Sequence, residues 1–334
     1  MEENKTIINA VPAGIDGCGH YRIVQPALIM QQLGVDLTLS PAAHFRTFGQ
    51  NITWTQRMCN TNLLERMVKY KETTHQKFVV DFDDLLWLHE GESLPDYNLC
   101  RAKVNSQQNT AGMEKYLDKL ADKITVSTDE LKKSLLQFVD ESKITVIPNM
   151  LSYKEWYHAQ SPRPKKDIFY FAGSYTHYDN VNKKLGDFSQ NLVHFLGNKK
   201  VVVKSLCPYF IKPEINYKAS RLTTYANDFW KETRNVDFII APLANNVFNK
   251  CKSDLKYLES AAVGRVCLVS DFPGSPYSGA HPYQKIPEGT TTTGLKYIVE
   301  RANEHYDEIL KYQYEYLNKR WLDNNIGLYS EVLK

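Results

Sequence analysis

The sequence predicts an α/β protein of two domains, each built on a largely parallel β-sheet. Strand-like apolar runs alternate with helix-length segments along the chain, which is typical of βα units. The chain has 334 residues, which is long for one domain and sufficient for two. The stretch SPRPKKD at 161–167 interrupts the alternation near the middle and marks the predicted boundary.

The individual elements follow from apolar periodicity and from the turn residues between them. Strands in the first half are predicted at Thr6–Val11, Asp36–Leu39, Lys77–Asp81, Lys123–Val126 and Ile144–Ile147. Helices between them are predicted at Tyr21–Leu33, Asn62–Glu72, Thr110–Ala121 and Thr128–Phe138. The second half has predicted strands at Ile168–Phe171, Lys200–Lys204, Val236–Ala241 and Val266–Ser270. Its predicted helices are Asp187–Leu196, Thr223–Arg234 and Ser253–Ala262.

These elements predict a first domain at 1–160, a second at 161–304 and a C-terminal helical segment at 305–334. No stretch approaches the roughly 20 apolar residues that span a bilayer, so no membrane partner is expected. The six cysteines have no zinc-finger spacing, and the first residues read as a strand rather than a leader. We therefore expect a cytoplasmic protein, monomeric or dimeric. The net charge of +3 is too small to indicate a polyanionic partner by itself.

Glycines follow the first predicted strand in the segment GIDGCGHYR at 14–22. Gly17 and Gly19 allow the backbone to approach an anion, and the N-terminus of the following helix favours negative charge. The spacing is not G-x-G-x-x-G, which disfavours a dinucleotide. Arg22 is predicted to bind a phosphate, and the alternative is an ion pair with a surface carboxylate. The alternative for the glycines is a tight turn without a ligand.

Carboxylates follow the predicted strand at Lys77–Asp81, in the segment KFVVDFDDLLW. Asp81, Asp83 and Asp84 would gather at the carboxyl edge of the sheet, where parallel sheets bind ligands. One interpretation is a metal bound through a D-x-D pair, and a phosphatase pattern fails because Leu85 stands where Thr is expected. We favour a third, in which the carboxylates shape the cleft and bind acceptor hydroxyls without a metal. A purely structural cap for the next helix is the remaining alternative.

A second group of polar residues follows the first strand of the second half, in FYFAGSYTHYDN at 169–180. The amide of Gly173 and the hydroxyl of Ser174 are placed to meet phosphate oxygens. His177 lies in the following loop, where a solvated side chain is the commoner outcome.

The segment Ala241–Asp271 contributes most to the functional prediction. Lys250 and Lys252 lie beside a predicted helix N-terminus, with Ser253 as its predicted cap, and together they suit a diphosphate. Glu259 lies nearly two turns further on, where its carboxylate can accept both hydroxyls of a ribose. Gly264 is predicted to end the helix. The alternative is an ordinary amphipathic helix with a solvated Lys/Glu face.

This segment resembles the donor-binding signature of retaining glycosyltransferases of the GT-B fold, particularly the large family-four group. Their pattern is E-x7-E running into a helix; Glu259 matches the second glutamate, and Cys251 replaces the first. The glycine segment at 14–22, the Asp81–Leu85 run and the Gly173–His177 segment are similar to those of divergent members and occur in the same order. The resemblance implies two Rossmann-like domains facing across a cleft, with a C-terminal helix that crosses back to the first domain.

The resemblance also implies the chemistry. A UDP-sugar would serve as co-substrate, with no cofactor and no catalytic metal. Lys250, Lys252 and Ser253 would bind its diphosphate and Glu259 its ribose, while Gly17 and Gly19 approach from the first domain. His177 and Asp83 would line the cleft, and with Lys252 they are the predicted catalytic residues.

The acceptor is predicted from residues 44–77, where basic and aromatic residues are interleaved. This composition suits a groove for double-stranded DNA, and the chain also resembles small tailed-phage enzymes that glycosylate hydroxymethylcytosine. The alternative is a helix with a solvated basic face and core aromatics. A protein or polysaccharide acceptor, and a catalytically inactive nucleotide-sugar or DNA-binding relative, are the competing functions.

Overall fold

The described part of the chain forms two six-stranded parallel sheets. The computed structural model describes residues 6–15, 17–40, 51–88, 99–173, 191–192, 194–196, 199–205, 217–219 and 225–334. The first sheet contains β1 (Ile8–Val11), β2 (Leu37–Leu39), β3 (Ile52–Gln56), β4 (Lys77–Phe82), β5 (Lys123–Val126) and β6 (Ile144–Val146). The second contains β7 (Ile168–Gly173), β8 (Lys200–Ser205), β9 (Tyr217–Ala219), β10 (Phe238–Ala241), β11 (Val266–Asp271) and β12 (Lys285–Pro287). Their orders are β2-β1-β3-β4-β5-β6 and β12-β11-β10-β7-β8-β9.

Helices connect these strands, as the parallel pairing requires. In the first half they are α1 (Gly17–Gly19), a π-helix (His20–Val24), α2 (Gln25–Gln32), α3 (Thr61–Thr74), α4 (Leu99–Leu120), α5 (Asp129–Leu135) and α6 (Tyr153–Trp156). In the second half they are α7 (Tyr225–Thr233), α8 (Val247–Lys250), α9 (Leu255–Ala262), α10 (Thr292–Glu304), α11 (Tyr306–Asn318), α12 (Leu322–Asn325) and α13 (Gly327–Val332). No helix among the described residues is long and apolar enough to cross a membrane.

Both sheets are buried on two faces, which explains why their strands read as continuous apolar runs. In β4, Phe78 and Val80 pack into one core cluster while Val79 packs into the cluster on the opposite face. In β10, Ile239 and Ile240 divide between the two clusters of the second sheet in the same way. The predicted α/β class with two parallel sheets is therefore confirmed.

The C-terminal segment crosses back to the first domain, as predicted. Trp321 forms a parallel bridge with Leu151. Leu322, Tyr329 and Leu333 are buried in the same core cluster as β1. The Tyr329 ring lies 5.4 Å from the ring of Trp54. Burial of these side chains holds the two domains together, and the bounds 1–160, 161–304 and 305–334 stay predictions.

Three strands were not predicted: β3, β9 and β12. In β3, Thr53 and Thr55 interrupt the apolar run, yet both are buried. The Thr53 hydroxyl is satisfied by Gln76 at 3.2 Å, so a polar residue is tolerated in the centre of the sheet. The other two strands have three residues each and lie at the sheet edges, which gives too little periodicity to detect. The predicted helix Asp187–Leu196 lies partly outside the described residues.

Candidate functional site

The glycine turn after β1 is folded tightly on itself. Gly17 has a φ of 51°, in the left-handed region that favours glycine. A Cβ on Gly19 would lie 1.9 Å from the carbonyl oxygen of Gly14, so no side chain fits there. The alternative of a tight turn therefore accounts for these glycines without a ligand. Their predicted approach to the sugar donor stays a prediction.

Arg22 is committed to a buried ion pair rather than exposed to a ligand. Its Nη2 lies 2.6 Å from Oδ1 of Asp81, and neither side chain has any exposed surface. Its Nη1 donates to the carbonyl oxygen of Ile147 and, at 3.3 Å, to Oδ1 of Asn149. The guanidinium thus ties the glycine turn to the ends of β4 and β6. Because it is fully enclosed, Arg22 is not part of the phosphate site proposed below. It forms an ion pair, but with a buried carboxylate rather than with the surface carboxylate of the alternative.

Asp83 and Asp84 form a carboxylate cluster at the carboxyl edge of the first sheet, and Arg57 caps it. Arg57 donates to both oxygens of Asp83, at 2.7 and 2.6 Å, and to Asp84 at 3.2 Å. Burial raises the pKa of Asp83, but the charge of Arg57 and its hydrogen bonds prevail, so the pKa is lowered overall. Asp83 is therefore ionised and held in place by Arg57. That arrangement suits a residue that orients its neighbours better than a general base.

The same cluster contains the group of side chains closest to a metal site among the described residues. The Sγ atom of Cys18 and carboxylate oxygens of Asp83 and Asp84 lie within 4.8 Å of one another. Burial, followed by the charge of Asp83, raises the pKa of the Cys18 thiol well above its usual value. Arg57 already neutralises the two carboxylates with its ion pairs. This set of side chains therefore fits the guanidinium of Arg57 better than a metal ion.

Lys252 reaches across from the second domain to this cluster. Its Nζ lies 3.6 Å from Oδ1 of Asp84 and 4.5 Å from the ring centre of Phe248. Phe248 and Cys251 are themselves buried in a core cluster of the first domain. The Thr128 hydroxyl donates to the carbonyl oxygen of Cys251 at 3.1 Å. The stretch that carries the predicted diphosphate ligands is thus packed against the first sheet.

Ser253 does not cap the helix that it was predicted to begin. The helix begins at Leu255, and Asp254 at the N-cap makes no side-chain capping bond. The Ser253 hydroxyl instead accepts a hydrogen bond from Asn149, at 2.7 Å, across the domain boundary. The Asp254 carboxylate is turned away because it accepts from Tyr316 and Arg320, each at 2.6 Å. Contacts with the first domain and the C-terminal helix outcompete the local cap.

Glu259 lies at the domain boundary and faces the π-helix of the first domain. Its Oε1 accepts a hydrogen bond of 2.7 Å from the hydroxyl of Tyr21, and both residues are buried. Leu258 and Ala262 of the same helix are buried in the core. Gly264 has a φ of 70° and ends the helix as predicted. No local sequence pattern assigns a role to Tyr21, because its partner Glu259 lies 238 residues away in the chain.

The carboxyl ends of the second sheet complete this side of the cleft. The Lys250 side chain lies over Gly274, where an added Cβ would come within 3.3 Å of its Cδ. A small cavity of about 20 Å³ opens beside the ends of β10, β11 and β12, lined in part by Leu243, Ser270 and Glu288. Gly173 ends β7 at the same edge. Ser174 and His177 lie outside the described residues, so their predicted roles stay predictions.

The predicted DNA-binding stretch is only partly described, because residues 44–50 lie outside the described residues. Trp54 is fully buried in β3 and cannot stack on a base. Lys71 pairs with Asp122 at 2.7 Å, and Arg57 with the carboxylate cluster. Arg66 and Lys69 are exposed on α3. The described part matches the alternative of a helix with a solvated basic face over a core aromatic.

Comparison with solved structures supports the same architecture. HepE of Anabaena, solved in complex with UDP-glucose, is similar with a TM-score of 0.60 and 7% identity, over 97% of this chain and 98% of that one. TarM is similar with a TM-score of 0.59 and 10% identity, over 85% of this chain and 54% of TarM. The glycotransferase of kitacinnamycin is similar with a TM-score of 0.50 and 10% identity, over 98% and 99% of the two chains.

These similarities show that the chain has the GT-B fold of two parallel-sheet α/β domains. The chain spans about half the length of TarM, since the match covers 54% of that protein. No family model and no curated protein matches the sequence. At identities of 10% and below, the similarity extends to the fold alone.

Proposed function

We propose that this chain is a retaining glycosyltransferase that transfers a glucose- or arabinose-class sugar from UDP to an acceptor hydroxyl. One observation carries the proposal. The segment from Lys250 to Glu259 lies at the carboxyl edge of the second sheet, directly against the glycine turn and the carboxylate cluster of the first. Ligands of open parallel sheets bind at this edge. UDP-glucose is present in the HepE structure, and UDP in a structure of an S. aureus TarM mutant, which supports the proposed donor.

The proposed site supplies charge stabilisation rather than acid–base chemistry. Lys250 and Lys252 would bind the diphosphate and stabilise the negative charge that develops as it departs. Glu259 would accept hydrogen bonds from the ribose hydroxyls. The acceptor oxygen bonds to the anomeric carbon as the bond from that carbon to the diphosphate breaks. The acceptor proton passes to a phosphate oxygen, so no separate general base is needed.

For the acceptor we propose 5-hydroxymethylcytosine in double-stranded DNA, bound through residues 44–77. The exposed side chains of Arg66, Lys69 and Lys77 support this proposal. Trp54 does not, because it is buried. Mass spectrometry of hydroxymethylated duplex DNA, after incubation with UDP-glucose or UDP-arabinose, tests it. Unmodified DNA together with hydrolysis of the UDP-sugar would instead favour a protein or polysaccharide hydroxyl.

The donor site is tested by Glu259→Gln, which keeps the side-chain shape and removes the charge. We expect UDP to bind on the order of tenfold to a hundredfold more weakly, as for the loss of hydrogen bonds to a charged group. Isothermal titration of the purified chain measures this change. Glu315→Gln removes an exposed carboxylate from α11 and serves as the matched control. Equal affinity in all three proteins, or no UDP binding by the wild type, would contradict the proposal.

A further inference from the structure

We propose that Tyr21 is a positioning residue of the sugar-donor site, which holds the Glu259 carboxylate in the orientation that accepts the ribose hydroxyls. The inference rests on the proposed function and adds a first-domain residue to it. Tyr21 donates its hydroxyl proton to Oε1 of Glu259 at 2.7 Å. Because that bond engages one oxygen and fixes the plane of the carboxylate, it sets the direction in which the carboxylate meets a ribose.

The backbone that carries Tyr21 has an unusual conformation. Residues His20–Val24 form a π-helix between two α-helical stretches. Such insertions are rare and occur often at functional sites, because the extra residue redirects the side chains around it. Here two consecutive side chains point to different domains. Tyr21 reaches Glu259 in the second domain, and Arg22 reaches Asp81 in the first sheet.

Arg22 makes the position of Tyr21 rigid. Its guanidinium is bonded to Asp81, to the carbonyl oxygen of Ile147 and to the side chain of Asn149. Asn149 in turn donates to Ser253, and its carbonyl oxygen accepts from Arg320 at 3.1 Å. The residue next to Tyr21 is therefore fixed to both domains. A hydroxyl presented from such a scaffold can orient a carboxylate with little loss of freedom on ligand binding.

The surroundings of Glu259 make its orientation important. Tyr21 and Glu259 are both buried, so a misdirected carboxylate cannot be compensated by bulk water. Lys256, one turn earlier on the same helix, interacts electrostatically with both Lys252 and Glu259. A carboxylate released by Tyr21 would be free to turn towards Lys256 and away from the ribose.

The test is a comparison of ligands that differ in one ribose hydroxyl. UDP, 2′-deoxy-UDP and 3′-deoxy-UDP are titrated into the wild-type chain and into Tyr21→Phe. We expect the wild type to bind UDP about tenfold more tightly than the deoxy analogue that lacks the hydroxyl bound by Glu259. In Tyr21→Phe this ratio should fall to about two or three, while the affinity for the deoxy analogue changes little. A role limited to stability would leave the ratio unchanged.

Tyr306→Phe is the matched control. Tyr306 is also buried, and its hydroxyl donates to a carbonyl oxygen, that of Asp237, at 2.7 Å, but at the amino ends of the strands. This variant should keep the wild-type ratio even if it unfolds at a lower temperature. An unchanged ratio in Tyr21→Phe, or tighter UDP binding, would overturn the inference alone. Absence of UDP binding by the wild type would overturn the proposed function, and the inference with it.

Discussion

Among the described residues two arginines are fully buried, one in each domain, and the protein neutralises them in different ways. Arg22 lies at the carboxyl edge of the first sheet and pairs with the buried carboxylate of Asp81. Arg265 lies at the amino end of β11 and donates mainly to main-chain carbonyl oxygens, those of Ser161, Pro162, Thr233, Arg234 and Gly264. Within the described residues, no carboxylate lies at ion-pair distance from Arg265.

The two arginines lie at different edges of their sheets. Arg22 lies at the carboxyl edge, named the ligand-facing edge because it holds the proposed donor site, and Arg265 lies at the amino edge, named the supporting edge. Burial lowers the pKa of Arg22, but the charge of Asp81 outweighs it and raises the pKa overall. For Arg265 burial prevails and the pKa is lowered. The Asp81 carboxylate fixes the turn beside the proposed donor site, although burial raises its own pKa against the opposing charge of Arg22. Neutral dipoles suffice at the other edge, where Arg265 ties residues 161 and 162 of the linker to the second domain.

The largest expected effect comes from removing the carboxylate at the ligand-facing edge. Asp81→Ala leaves the Arg22 cation buried without its partner, so the free energy of unfolding should fall by about 3–5 kcal/mol. Urea denaturation followed by circular dichroism measures the loss. Glu65→Ala removes half of an exposed ion pair with Lys69 and should change the free energy of unfolding far less, because solvent screens exposed charges. Similar losses in the two variants would mean that burial of the pair is unimportant.

A smaller effect is expected at the supporting edge. Arg265→Met removes the cation itself, so the carbonyl oxygens lose their hydrogen-bond donors but no uncompensated charge remains. The free energy of unfolding should fall by about 2 kcal/mol, measured by the same denaturation. A loss as large as that of Asp81→Ala would show that main-chain dipoles hold a buried cation as strongly as a carboxylate does.

The smallest expected effect on the free energy of unfolding concerns Lys256, which lies on α9 one turn before Glu259. Burial, together with the charge of Lys252, lowers its pKa to about 7, against the opposing effect of Glu259. Below this pH both the folded and the unfolded state hold the proton, and the folded state bears the cost of burying the charge. From about pH 7 to about pH 10 only the unfolded state holds it, so this cost falls as the pH rises.

Lys256→Met should therefore stabilise the chain at pH 6.5, by about 1 kcal/mol after allowance for solvent screening of this half-buried group. The advantage should shrink steadily towards pH 9.5. Thermal unfolding of the variant and the wild type across this range measures the difference. An advantage that does not change with pH would show that Lys256 keeps an ordinary pKa in the folded state.

The sequence predicted most of the fold because buried parallel strands have an unmistakable apolar signal. The predicted strands and the turn at Gly264 were found, since local composition decides them. The strand β3 was missed because threonines interrupt its apolar run, and the hydroxyl of Thr53 is satisfied by Gln76 elsewhere in the chain. The predicted cap at Ser253 failed for the same reason: a residue from the other domain supplied a better hydrogen bond than the helix did.

For the candidate site, the sequence by itself determined which segments reach the cleft and which of them carry charge. Strand ends, glycines and the residues from Lys250 to Glu259 could be identified because their order along the chain sets their place in a parallel sheet. Only the tertiary structure decided what each side chain does there. It enclosed Arg22 against Asp81 and brought Tyr21 to Glu259. The first pairing depends on how the first domain packs and the second on how the two domains meet, and neither geometry is encoded in any local pattern.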